Sequence, residues 1–514
     1  MSRIRSLLLG SAAVVLFAAP VRTQPRNASI GDPRDPRPLS ELLDEVERRF
    51  DVRISCKRFD PDTVRLAYGA FRLRPYSLDE TLDNLLRPLD LVWSRKAAST
   101  AVPAATVSSG SSNGPVSAQA SGRAASAPTE AAPGKVVTEQ PAAVPVRITV
   151  QPYEYYRRTP ADGERLLRWL TSLAPDLAAW EQRRSRLLGE ARAALDLESF
   201  RRALVADPDV RLGRRVRHDG YATQNYALET LPGLYVCGTV YMPLTHGRHP
   251  LVVSPSGHWE GGRYRPDQQL RMATLARMGA VAVDMDIFGW GDSERQVGRE
   301  AHTCDYSMQI QVLWSQAVTD WILASRHDID TTRMAATGGS GGATHALLLA
   351  LVDERFTVLA PVVHLVSHFD GGCACESGRP VTLAAGGSCM PELLAAVMAP
   401  RPTLTVSDGG DWTATYPTLE YPFLRRIWGL YGAAASVRNV HLEDERHDYG
   451  ANKRRAVYAF LAETLGLDLT QADERRVELL PAESLSSFGG GLPAGAIRSR
   501  EELEQRIDEL ETNR

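Results

Sequence analysis

At 514 residues the chain is long enough for two or three domains and a sizeable core. Its net charge of -3 and pI near 6.4 exclude the strongly basic balance of a nucleic-acid binder. A hydrophobic content of 43% excludes a disordered or fibrous chain and leaves an ordinary globular one.

Residues 1–25 carry Arg3 and Arg5 ahead of an apolar run over 7–19. That run is short for a bilayer span and has the layout of a secretory signal. Next, Leu39, Leu42, Leu43, Val46 and Phe50 fall on one helical face, and residues 52–55 suit a strand. Ser77-x-x-Glu80 is a capping box ahead of Leu82, Leu85, Leu86 and Leu89, with a further strand at 91–93. Residues 38–95 thus form a small α/β unit. Its pattern resembles the short N-terminal domain of secretins and TonB-dependent receptors, which implies protein contact at the envelope. Residues 96–145 are Ala, Ser, Thr, Pro and Gly with few large apolar side chains, so they are expected to be a flexible linker. Residues 146–220 read as a helical preface, with helices at 165–173 and 177–195 anchored by Trp169 and Trp180.

From 221 to 467 short apolar strands alternate with helices. Strands are expected at 234–241, 250–254, 280–284, 333–337, 356–363, 402–407 and 438–442. This alternation is that of a mostly parallel sheet covered on both faces, with reactive groups at the carboxyl ends of its strands. The tail, 468–514, holds a charged helix capped by Ser499-x-x-Glu502, with Leu503, Ile507 and Leu510 on one side.

The most informative stretch is Gly338-Gly-Ser-Gly-Gly342, between an apolar strand and an Ala/Leu-rich helix. A serine on such a turn is held in a strained backbone with its hydroxyl above the sheet. It needs a base, and the base needs a carboxylate to fix its tautomer. His447 follows the last strand; Asp411, preferred over Asp408, follows the strand before it. Asp408 is expected to cap its own turn. The nucleophile is therefore Ser340, the base His447 and the acid Asp411. The oxyanion donors are the N–H groups of Gly341 and His258, the latter in Pro255-Ser-Gly-His-Trp-Glu-Gly-Gly262. Residues 364–398 form a long insertion expected to face substrate. Trp259, Glu376 and Trp412 are expected to contact substrate.

Gly257-His-Trp-Glu-Gly-Gly262, Gly338-Gly-Ser-Gly-Gly342, Gly372-Cys-Ala-Cys-Glu376, Ala399-Pro-Arg-Pro402, Gly410-Asp-Trp-Thr413 and Glu445-Arg-His-Asp-Tyr449 occur in the order of a known superfamily. Together they resemble the α/β-hydrolases, and within them the acetylxylan esterase and dienelactone-hydrolase-like branch. The resemblance implies a doubly wound sheet and an exported serine esterase, in the periplasm or envelope of a Gram-negative bacterium. The implied substrate is an acetyl or similar ester on a small molecule or oligosaccharide, with no cofactor and no metal. An envelope protein is the partner implied for the N-terminal unit. The family's asparagine after the histidine is Asp448 here, a negative charge expected to raise the pKa of His447. A different reading is an envelope interaction protein carrying an idle hydrolase body; a peptidase or lactone hydrolase on the same machinery is a third.

Six cysteines are present. Cys373, Cys375 and Cys389 are near enough in sequence for a loop-stapling disulfide in an exported chain. Zinc is disfavoured, because no histidine pair lies at ligand spacing beside them.

Overall fold

The computed structural model describes residues 37–66, 73, 78–86, 89, 91–95, 146–152, 159–303, 306–369, 373–378, 381–382, 388–489 and 491–512. The expected signal segment and the expected linker lie outside them. No helix among the described residues is long and apolar enough to cross a membrane.

The small N-terminal unit has its own apolar centre. Helix Leu39–Phe50 buries Leu39, Leu42, Leu43 and Val46, and helix Leu78–Leu86 adds Leu82, Leu85 and Leu86. They pack with a three-stranded sheet whose middle strand is Val146–Pro152. That strand runs parallel to Val52–Cys56 and antiparallel to Leu91–Arg95. The segment expected to open the helical preface is thus the centre of the small unit's sheet. Ile148 and Val150 alternate toward the core while Arg147 and Thr149 do not, the period of two that a half-buried strand needs.

The large sheet has ten strands. At its centre His249–Pro255 lies between Val281–Met285 and Ile329–Gly339, parallel to both. Val358–Val362, Thr403–Asp408 and Val437–Leu442 continue in parallel to one edge. On the other side Leu234–Pro243 and Tyr221–Leu231 join antiparallel. Every residue of the strands at 249–255, 281–285 and 358–362 is buried. Helices on both faces leave no side of these strands for water, so the sequence reads as apolar runs rather than alternation. All seven expected strands are present within a few residues. Tyr221–Leu231 was not among them, because Thr223, Gln224 and Asn225 interrupt its apolar run.

The helix after the turn, Gly341–Val352, is buried all round, which its run of Ala and Leu requires. The preface helices Pro160–Leu173 and Leu177–Leu195 pack on this body. Thr159 and Asp162 make a capping box on the first. From the second, buried Arg183 grips Glu392 with two nitrogens, one at 2.7 Å. Glu392 belongs to helix Met390–Met398, which closes the long insertion. The tail also docks on the body: Leu485, Phe488, Ile497, Leu503 and Ile507 are buried, and Ile497 N–H donates to Gly233 O at 2.9 Å.

Candidate functional site

Ser340 stands where strand Ile329–Gly339 meets helix Gly341–Val352, with φ 54 and ψ -127. A side chain in that region is strained, and the surroundings must hold it there. Ser340 N–H donates to Val362 O at 3.0 Å, pinning the turn to the next strand. A Cβ on Gly338 would overlap the backbone of Gly342, so the tight return of the chain needs glycine.

His447 Nε2 lies 3.0 Å from Ser340 Oγ, and its Nδ1 lies 2.6 Å from Asp411 Oδ2. The three side chains come from the ends of three strands, and the sheet brings them into one line. Asp411 Oδ1 accepts from Thr413 N–H at 2.6 Å and from its hydroxyl at 2.5 Å. Burial pushes the Asp411 carboxyl up, but hydrogen bonds from His447 and Thr413 outweigh it and hold the group below its ordinary value. A hydroxyl, an imidazole and a carboxylate in series can move a proton off the hydroxyl at neutral pH.

Asp408 lies elsewhere in the same loop. It accepts from Gly410 N–H at 3.1 Å and pairs with the buried Lys453 at 2.8 Å. Lys453 also pairs with Asp448 at 2.8 Å. The Asp448 charge expected to act on His447 is therefore engaged by an ammonium and by Gly450 N–H.

Gly341 is the first helical residue, so its N–H has no acceptor within the helix. His258 faces it so closely that a Cβ on Gly341 would overlap the imidazole. Trp259 and Trp412 flank the His447 ring, with centroids 5.4 and 4.4 Å away. Trp412 packs in turn on Phe369 at 4.2 Å. Glu376 reaches Ser340 as well: Ser340 Oγ lies 2.9 Å from Glu376 Oε1. One hydroxyl proton thus has two acceptors in reach, His447 and Glu376.

The insertion holds a further group that sequence spacing did not reveal. Cys373 and Cys375 form no disulfide with each other or with Cys389. Their sulfurs instead face His258 and His302. The expected loop staple of cystine is thus replaced by two thiols and two imidazoles, and His302 stood in no sequence motif.

Phe288-Gly-Trp-Gly-Asp-Ser293 follows strand Val281–Met285. Asp292 and Asp286 both pair with buried Arg263 at 2.8 Å, which also donates to Leu485 O in the tail. Burial raises the Asp286 carboxyl to about 7, against the pull of Arg263. Trp290 packs edge-on to His258 and His302, at 5.8 and 6.1 Å.

Among solved structures, the chain is similar to methylesterase BT1017, at 44% identity over 93% of this chain and 98% of that one, with a TM-score of 0.68. A glucuronoyl esterase from Teredinibacter turnerae T7901 matches at 14% identity over 56% of this chain and 85% of its own, with a TM-score of 0.41. An acetyl xylan esterase from Paenibacillus sp. R4 matches at 16% over 54% and 94%, with a TM-score of 0.37. No protein-family model and no curated protein sequence matches the chain.

Proposed function

This chain, an α/β-hydrolase by its sheet, belongs to the family of methylesterase BT1017, and on that footing we propose that it is a serine esterase acting on an ester carried by a carbohydrate. Ser340 Oγ attacks the ester carbonyl while His447 Nε2 takes its proton. Asp411 holds the ring with Nδ1–H toward itself and stabilises the imidazolium. The N–H groups of Gly341 and His258 receive the oxyanion. The tetrahedral intermediate collapses, the C–O bond to the alcohol breaks, and His447 returns the proton to the departing oxygen. Water, deprotonated by His447, then hydrolyses the acyl-enzyme, releasing the acid and restoring Ser340. The observation that carries this reading is the unbroken contact from Ser340 through His447 to Asp411, at 3.0 and 2.6 Å.

The name of the 44% relative favours a methyl ester over the acetyl ester expected from sequence. In a methyl ester the leaving alcohol is small and the acyl side carries the sugar. That side has Trp259, Trp412 and Glu376 to rest against. The test is to treat methyl-esterified and acetylated oligosaccharides with the chain and measure methanol and acetate. Methanol release is expected, lowered about 10⁴-fold or more in Ser340→Ala. Acetate without methanol overturns the methyl assignment alone. No Ser340-dependent release of either overturns the esterase and leaves the idle-body reading. Export to the envelope belongs to the same proposal and rests on Arg3, Arg5 and the apolar run at 7–19. A mature protein whose sequenced N-terminus is still Met1 removes cleavage from it.

A further inference from the structure

Four side chains that the proposed reaction does not use meet beside the nucleophile. His258 follows strand His249–Pro255, His302 sits in the turn Arg299–Thr303, and Cys373 and Cys375 lie in the insertion. His258 Nε2 is 3.0 Å from His302 Nε2, 3.1 Å from Cys375 Sγ and 3.5 Å from Cys373 Sγ. Cys375 Sγ is 3.5 Å from His302 Nε2 and 3.4 Å from Cys373 Sγ. All four donor atoms lie within 4.8 Å of one another. A tetrahedral ion with about 2.3 Å bonds to sulfur and about 2.0 Å to nitrogen has donors about 3.3–3.8 Å apart. Five of the six spacings, 3.0–3.5 Å, and the sixth, within 4.8 Å, enclose a centre of nearly that size.

The protons of the two imidazoles make the case stronger. His302 Nδ1 is 2.7 Å from Phe288 O, a pure acceptor, so Nδ1 carries the proton and Nε2 presents a lone pair. His258 Nδ1 is buried, makes no hydrogen bond and lies 3.8 Å from Glu376 Oε2. With its proton there, toward the carboxylate, His258 turns its Nε2 lone pair on that of His302. Two lone pairs 3.0 Å apart, with two thiols closing the group, are arranged for a cation. The other acidic cluster, Cys237 with Asp286 and Asp292, already has its cation in Arg263.

We propose that His258, His302, Cys373 and Cys375 form a Cys2His2 zinc site. The borderline-soft N2S2 set suits Zn²⁺, and four protein ligands with no open position make the ion structural rather than reactive. Two thiolates neutralise the dication. The ion ties the insertion to the loops after two central strands. Glu376 adjoins Cys375 and faces the proton of a zinc-bound imidazole, as ligand histidines commonly face a carboxylate. The ion therefore fixes where Glu376 meets Ser340 and where the His258 N–H points. Sequence spacing hid the site: His302 is 44 residues from His258 and 73 from Cys375.

The test uses the full chain, stripped with chelator under reducing conditions and reloaded with zinc, with metal measured by plasma mass spectrometry. About one zinc per chain is expected, unchanged in Ser340→Ala and below about one-tenth in Cys373→Ser and Cys375→Ser. Cobalt(II) in its place should show thiolate charge-transfer absorption and the intense visible bands of a tetrahedral ion. On the unaltered chain, zinc should slow alkylation of Cys373 and Cys375 by about tenfold or more, read by peptide mass. Substoichiometric zinc in the unaltered chain, full zinc in both serine variants, unprotected thiols, or a Cys373–Cys375 disulfide in the reloaded chain each overturns the proposal. Metal content is read without substrate, so the result stands whether or not the chain is an esterase.

Discussion

Asp408 and Asp411 share one loop yet are held by different neighbours. Asp411 touches His447, whereas Asp408 caps a turn and neutralises Lys453. Asp411→Asn should lower kcat about 10⁴-fold with KM little changed, since an amide favours the wrong imidazole tautomer. Asp408→Asn should keep kcat within about tenfold but lower unfolding free energy by about 3 kcal/mol, because it weakens the pairing of a buried ammonium. Steady-state kinetics and urea unfolding on both variants separate the two roles. That Ser340, Asp411 and His447 would meet was legible because each follows its own strand in a fixed order. The His258, His302 and cysteine cluster was not, because its members share neither a helix nor a spacing and meet only through the sheet. The charge on Asp448 was legible, but not the Lys453 that it shares with Asp408.

The strands themselves carry buried charge. Asp284 lies within the central strand Val281–Met285; its carboxylate accepts from Thr239 N–H at 2.8 Å, and burial raises its pKa to about 6. The folded state thus binds a proton that the unfolded chain gives up near pH 4. Stability from this group is full below about pH 4 and is lost as pH rises through about 6. Two pKa units correspond to about 3 kcal/mol. Urea midpoints at pH 4.5 and 7 should show the unaltered chain losing about 2–3 kcal/mol relative to Asp284→Asn across that interval. A parallel loss in both chains would refute it. Elements with long apolar runs were legible from sequence. Tyr221–Leu231 was not, because Thr223, Gln224 and Asn225 break its apolar run although most of the strand is buried. Nor was the pairing of Val146–Pro152, because pairing is a property of two segments and its partners lie about fifty residues and more upstream.

The whole molecule is tied together by segments outside the sheet. The preface reaches the insertion through Arg183 and Glu392, and the tail reaches buried Arg263 through Leu485 and Ser487. Arg183→Ala should leave Glu392 buried without its cation, beside Ser388 Oγ at 2.6 Å, and cost about 3–5 kcal/mol in chemical denaturation. Deleting residues 481–514 should cost more than about 5 kcal/mol, since burying each of Leu485, Phe488, Ile497, Leu503 and Ile507 contributes about 1.5–3 kcal/mol. A scanning-calorimetry profile unchanged by that deletion would show the tail to be an ornament. The match to the relative spans 93% of this chain, which is more than the large sheet and its helices alone.

Gly341 sits against the imidazole of His258 with no room for even one extra carbon. The wall that would cradle the developing negative charge is therefore the same wall that would grip the ion. Gly341→Ala should injure both at once: ester turnover and zinc retention ought to fall together, and raising the zinc concentration ought to recover only part of the lost rate. On this reading neither centre can shift without moving the other, because both meet at the one hydrogen that Gly341 carries in place of a side chain.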